Sequence, residues 1–324
     1  MPGKKRGEAN REDAMRVLVL GAGATGGYFG GRMLEAGCDV AFLVRPARAE
    51  ALQAEGLVVE SPLGEIRTPV RTVTKETAGS GWDLLLLSCK AFDLEDAIAT
   101  VADAVGPQTR LLPVLNGLAH LDRLDRQFGA ARVLGGLCAI AATLTRDGVV
   151  KHLNRAQTFI FGPRSDDQQE FCQALFADIG RAKVDRRLSE AIILEMWEKW
   201  VMLATLAAST CLMRAPVGDI VAAPGGADFI NGLLDEVQAI AAANGNAARP
   251  TSLSRTRAML TEAGSALAAS MLRDLEGGGR IEADHIIGDL LRRGTENGIE
   301  APRLRIAYTH LKAHEARQAR EAAA

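Results

Sequence analysis

The feature that most constrains this chain is Val17-Leu18-Val19-Leu20-Gly21-Ala22-Gly23-Ala24-Thr25-Gly26, an apolar strand running straight into a G-x-G-x-x-G turn and a helix-like segment. Each glycine has a task in such a turn: Gly21 makes the tight bend, Gly23 lets the backbone approach a pyrophosphate, and Gly26 lets the new helix pack on the strand. The amides of Ala24, Thr25 and Gly26 then open a helix terminus, where N–H groups and the helix dipole favour an anion. Glycines also cluster in ordinary turns. A strand before and a helix after make dinucleotide binding the better reading here.

The next apolar run, Asp39-Val40-Ala41-Phe42-Leu43-Val44, reads as the second strand and ends at Arg45, with Arg48 close behind. A site for NAD places an acidic residue about 20 residues after the glycines, to bind the ribose 2′-hydroxyl. A carboxylate would repel a 2′-phosphate, whereas a guanidinium binds it in a bidentate fork. Arg45 therefore predicts NADP(H) as the cofactor, against the plainer reading of a solvated loop arginine.

At 324 residues the chain exceeds one hydrophobic core, which stops growing at about 250–300 residues, so two domains are expected. A formal net charge of −2 gives no electrostatic case for nucleic acid or an anionic membrane. The cysteines Cys38, Cys89, Cys138, Cys172 and Cys211 stand singly, without a C-x-x-C pair. That spacing argues against a metal site or a disulfide framework and predicts a reducing, cytoplasmic setting. No apolar run reaches the roughly 18 residues of a membrane span.

Residues 1–14 are polar and mixed in charge, and read as a disordered extension or as residues upstream of a true start at Met15. From 15 to 187, strand-like and helix-like segments alternate, as in a parallel sheet with crossover helices. The predicted strands are Arg16–Leu20, Val40–Val44, Leu84–Ser88, Arg110–Leu115 and Val133–Ala142. Leu57–Glu60 and Glu65–Val70 read as a hairpin, and Val149–Phe161 as a piece that finishes the sheet. From 188 to 318 apolar residues recur at helical spacing, over Ser189–Cys211, Phe229–Asn244, Ser252–Glu262, Ile281–Asn297 and Leu304–Arg317. Residues 319–324 read as a tail. The expected architecture is an α/β dinucleotide-binding domain of the Rossmann type followed by an all-α domain. Such a pair leaves a cleft at the carboxyl ends of the strands, where chemistry is expected.

Four patterns fall where that cleft would be. Lys90 follows the Leu84–Ser88 strand, and Asn116-Gly117 follows Arg110–Leu115. A surface lysine and a plain turn are the bland accounts; two polar signals at adjacent strand ends favour function. The third is Glu195-Met196-Trp197-Glu198-Lys199-Trp200, in which Lys199 borders a strongly apolar stretch. Low-dielectric surroundings disfavour a charged ammonium and suit a proton donor, although most helical lysines merely snorkel. The fourth is Ser270-Met271-Leu272-Arg273-Asp274 with Arg280-Ile281-Glu282-Ala283-Asp284, polar groups suited to a hydroxy acid or, more plainly, a helix terminus.

Taken together and in order, the glycine turn, Arg45, Ser88-Cys89-Lys90-Ala91-Phe92, Leu115-Asn116-Gly117, Trp197-Glu198-Lys199, Ser270-Met271-Leu272-x-Asp274 and Glu282-x-Asp284 resemble the ketopantoate reductases. The resemblance runs from Met15 to about Glu315. It implies reduction of 2-dehydropantoate to (R)-pantoate with NADPH, in pantothenate synthesis. It implies Lys199 as the general acid at the ketone oxygen, Glu282 on the substrate hydroxyl, and Ser270 on its carboxylate. Asn116 would position substrate and nicotinamide, and Lys90 and Arg45 would serve the cofactor.

One departure bears on the substrate. The family's lysine helix carries asparagines four and eight residues after the lysine, and this chain has Leu203 and Ala207 there. Losing two amides predicts a more apolar pocket, so the reaction type transfers more safely than the substrate. Three readings stay open: the named reduction, a paralogue acting on a less polar oxo acid, and a non-catalytic NADP-binding sensor. The expected partner is a small oxo acid, with no nucleic acid and no membrane, and a homodimer is left open.

Overall fold

The computed structural model describes residues 14–322; the proposed extension over residues 1–14 lies, apart from Ala14, outside them. The chain divides into two compact units. The first comprises residues up to Cys89, 93–115 and 124–190, and the second 90–92, 116–123 and 191 onward.

The first unit is built from β1 (Arg16–Leu20), α1 (Ala24–Glu35), β2 (Asp39–Leu43), α2 (Pro46–Glu55), β3 (Leu57–Glu60), β4 (Ile66–Thr68), β5 (Arg71–Val73) and β6 (Leu84–Leu87). It continues through α3 (Leu94–Val101), β7 (Arg110–Pro113), the end of α4 (Ala119–Phe128), β8 (Gly135–Leu144), β9 (Val150–Gly162), α5 (Gln169–Asp178) and β10 (Asp185–Leu188). Strands β5-β2-β1-β6-β7 form one sheet, parallel at every pairing. The run Leu84–Leu87 is wholly buried, as a strand covered on both faces should be. Chain order leads outward from β1 through β2 to β5, then crosses to β6 and β7. The reversal lies between β1 and β6, so the glycine turn after β1 sits at the topological switch point.

The expectation that Val149–Phe161 completes this sheet is corrected: β9 belongs to a second sheet, ordered β10-β9-β3-β4 with β8 antiparallel to β9. Helix α1 explains how one unit holds two sheets. Gly26 and Gly30 face the first, where an added Cβ would meet Ser88 Oγ at 2.6 Å and the Phe42 ring at 2.8 Å. Gly27 and Gly31, on the opposite side, would meet Val150 at 2.9 Å and Leu57 at 3.0 Å. The helix is thin on both faces because it is packed between two layers.

The second unit is helical: α6 (Ile192–Met213), α7 (Val217–Ala222), α8 (Gly226–Ala243), α9 (Pro250–Leu260), α10 (Ser270–Glu276), a π-helical turn at Asp284–Gly288, α11 (Asp289–Glu296) and α12 (Pro302–Ala322). The short α7 and α10 carry too few turns to show a periodicity, and α12 continues to Ala322 through residues read as a tail. Helix α6 is the centre, packed by α8, α10 and α12. Thr205, Ser209 and Thr210 are completely buried there, and each hydroxyl donates to a carbonyl one turn back, at 2.7–2.8 Å. Their polarity is thereby satisfied within the helix. Among the described residues no helix is long and apolar enough to cross a membrane.

Candidate active site

In the first unit, Gly21 donates its amide to the Leu43 carbonyl at 2.8 Å and holds φ at +84°, a conformation open to glycine at little cost. A Cβ added at Gly21 or Gly23 would meet nothing within 4 Å, so the space before the turn is open. The first turn of α1 has no acidic residue, and its N-cap, Gly23, supplies no side-chain cap. Amides at this helix start are thus not capped by a side chain, and the turn fits a pyrophosphate. Arg45 is the N-cap residue of α2, directly after β2, and is exposed. Arg48 is committed elsewhere: its Nη2 donates to the Gly148 carbonyl at 2.8 Å and lies 3.4 Å from that of Ala22. Burial lowers the pKa of its guanidinium.

In the second unit, the segments after β6 and β7 contribute Lys90 and Asn116. Lys199 Nζ, half-buried on α6, donates to Asn116 Oδ1 at 2.9 Å. Lys90 Nζ donates to Asp274 Oδ2 at 2.9 Å and to Glu282 Oε2 at 3.3 Å. Glu282 is nearly buried, and its other oxygen accepts from the Ala91 amide at 2.9 Å. Both carboxylate oxygens are therefore fixed by donors. Burial alone would lower the Lys90 pKa, but the Glu282 and Asp274 carboxylates outweigh it and raise it. Lys90 stays an ammonium, and it ties the start of α11's lead-in turn to α10, the helix that Ser270 opens.

The sequence-derived residues thus gather in two groups. Gly21, Gly23, Ala24, Thr25 and Gly26 form the turn of the first unit, which also holds Arg45 at the start of α2; Lys90, Asn116, Lys199, Ser270 and Glu282 belong to the second. Pairings within the second group were not legible beforehand: Lys90 meets Glu282, and Lys199 meets Asn116. His285 was missed altogether, and Trp200 was noted without its contact. His285 Nε2 lies 2.5 Å from the Asn116 main-chain oxygen, and the Trp200 indole donates to the Ile286 carbonyl at 2.9 Å. Their only sequence signal is position, His285 three residues after Glu282 and Trp200 next to Lys199. Beyond Lys199 along α6, Leu203 is half-buried and Ala207 fully buried.

A switch-point glycine turn with a separate lysine–amide–carboxylate constellation defines an oxidoreductase of the nicotinamide-dinucleotide class. The profile described as Ketopantoate reductase PanE/ApbA matches residues 17–166, and its C-terminal counterpart matches residues 191–315. The chain belongs to the ketopantoate reductase family. It is 32% identical to an uncharacterised oxidoreductase, YkpB, of Bacillus subtilis, over 93% of this chain and 99% of that one. The crystal structure of 2-dehydropantoate 2-reductase from Geobacter metallireducens is similar at TM-score 0.84 and 29% identity, covering 92% of this chain and 99% of that one. A ternary structure of D-mandelate dehydrogenase with NADH and anilino(oxo)acetate shares the fold, at TM-score 0.84 and 19% identity, covering 94% and 99%.

Proposed function

We propose that this protein reduces a 2-oxo acid with NADPH, with 2-dehydropantoate as the substrate and (R)-pantoate as the product. The observation that carries this reading is the Lys199 ammonium 2.9 Å from Asn116 Oδ1, in the same unit as the doubly anchored Glu282. The dinucleotide, when bound, supplies hydride to the carbonyl carbon. Lys199 donates a proton to the ketone oxygen, so the oxo acid, one hydride and one proton give the 2-hydroxy acid. The Asn116 oxygen aims the ammonium, which matters because proton transfer needs heavy atoms within about 2.6–3.2 Å. Glu282 accepts a hydrogen bond from a substrate hydroxyl with an oxygen already held in place, and Ser270 binds the substrate carboxylate. Exposed Arg45 takes the 2′-phosphate, which a carboxylate at that strand end would repel.

A second reading rests on Leu203 and Ala207: the loss of the two amides that the family's lysine helix carries at these positions favours a less polar oxo acid. The choice is made by following NADPH oxidation at 340 nm with purified protein. Turnover of 2-dehydropantoate above that of 2-oxo acids with bulky apolar chains supports the first reading; the reverse order establishes the second. No oxidation with any 2-oxo acid, alongside measurable NADPH binding, would replace both with a non-catalytic sensor.

A further inference from the structure

Lys199 owes its aim to Asn116, and Asn116 is itself held by its main-chain oxygen. That oxygen lies 2.5 Å from His285 Nε2. A carbonyl only accepts, so Nε2 carries the hydrogen. Burial disfavours the imidazolium, and His285 is neutral with its proton on that nitrogen.

The contact is built closely. Gly117, next to Asn116, has φ +72°, and a Cβ there would come within 3.1 Å of His285 Cδ2 and Nε2 and 3.2 Å of its carbonyl oxygen. The turn is thus shaped to admit the ring. His285 is the second residue of the π-helical turn Asp284–Gly288, a widened geometry that recurs at functional sites. The same turn accepts the Trp200 indole on Ile286, beside Lys199. Its far side is fastened to α12, where Asp284 accepts from Tyr308 at 2.6 Å and Lys312 at 3.0 Å. One turn therefore contacts both Asn116, which accepts from Lys199, and Trp200, the residue next to Lys199 on α6.

We propose that His285 is a positioning residue for the reduction: its Nε2–H, seated on the Asn116 carbonyl, holds the turn that presents the Asn116 amide to Lys199. This rests on Lys199 being the proton donor. It extends the site by a residue that touches neither substrate nor cofactor.

The test uses His285→Met, which keeps bulk and loses the donor, His285→Asn, whose amide is too short, and His285→Gln, which restores an N–H at similar reach. With 2-dehydropantoate and NADPH, kcat should fall about 10- to 100-fold in His285→Met and His285→Asn, as for misplacements on the order of 1 Å. KM and NADPH affinity should stay within about threefold, and His285→Gln should recover most of kcat. In an Asn116→Ala background, His285→Met should lower kcat less than about twofold further, because both changes break one chain of contacts. Losses that multiply, or a His285→Gln no better than His285→Asn, would overturn the proposal. Should wild-type protein leave 2-dehydropantoate untouched, the substrate reading fails separately. Amide hydrogen exchange over residues 117–121 then decides, without substrate: faster exchange in His285→Met and His285→Asn but not His285→Gln supports the proposal, and unchanged exchange in all three refutes it.

Discussion

The glycine turn after β1 and the lysine cluster of the helical unit handle charge with opposite materials. The turn works by what is missing: no Cβ at Gly21 or Gly23, no carboxylate in the first turn of α1, and amides that the backbone supplies. The cluster works by side chains that fix one another, Lys90 on two carboxylates, Asn116 on Lys199, His285 on Asn116. A backbone site tolerates change in its side chains so long as none is added. A side-chain network weakens when a member is removed, because half-buried polar groups then lose part of their hydrogen bonding.

The sharpest way to break this contrast is Lys199→Ala. Loss of the proposed general acid should lower kcat by about 10³- to 10⁴-fold, at the upper range for one positioned acid. NADPH affinity, measured by fluorescence titration, should change little if the turn is the cofactor's site. A comparable loss of NADPH affinity would show that the two regions are not separable in this way.

Arg45→Ala probes the side chain proposed to take the 2′-phosphate. A guanidinium on a 2′-phosphate contributes about 1.5–3 kcal/mol, so NADPH binding should weaken on the order of 10- to 100-fold relative to NADH. An unchanged ratio of the two affinities would remove Arg45 from the site and assign phosphate recognition elsewhere.

The same contrast decides what could be read from the sequence. The first region is local: strand, glycines and helix are contiguous, so spacing alone located the turn, and β1, β2, β6 and β7 followed from apolar runs. The second sheet was not legible, because β9 reads like any strand after β8 and only its pairing with β3 and β10 assigns it. In the cluster, residue types were legible but partners were not. Lys199 and Asn116 are 83 positions apart, and Lys90 and Glu282 are 192 apart. Nothing in spacing says that Lys90 meets Glu282 while Lys199 meets Asn116. His285 escaped notice because a lone half-buried histidine looks structural until its ring nitrogen is seen on the Asn116 oxygen.

Gly117→Ala sharpens the comparison from the other side, since it adds one methyl where the cluster relies on backbone shape. The substitution strains φ +72° and pushes against His285. A cost of about 1–2 kcal/mol in denaturant unfolding is expected from the backbone alone. Alanine at Gly37, also at positive φ but with open space around it, is the control. Gly117→Ala should lower kcat as well as stability, whereas Gly37→Ala should lower stability only.

The smallest expected effect is a pH dependence of stability traced to His285. Burial holds its folded-state pKa below the ordinary 6.5. Glu282 and Asp289 pull it upward, while Arg293 acts with burial, and the ring of His120 lies 5.6 Å away. A depressed histidine means the unfolded chain binds the proton first. The neutral ring's contribution is therefore complete above pH 6.5 and is lost as pH falls from there through the folded-state value. One proton limits the slope to about 1.4 kcal/mol per pH unit. His285→Gln keeps the donor without the titration, so its stability advantage or deficit relative to wild type should shift in its favour as pH drops from 7 to 5. Parallel stability curves for the two proteins over that range, measured by urea unfolding, would mean that the ring is not desolvated in solution. The network around Asn116 would then be wetter, and closer in character to the open glycine turn, than its geometry indicates.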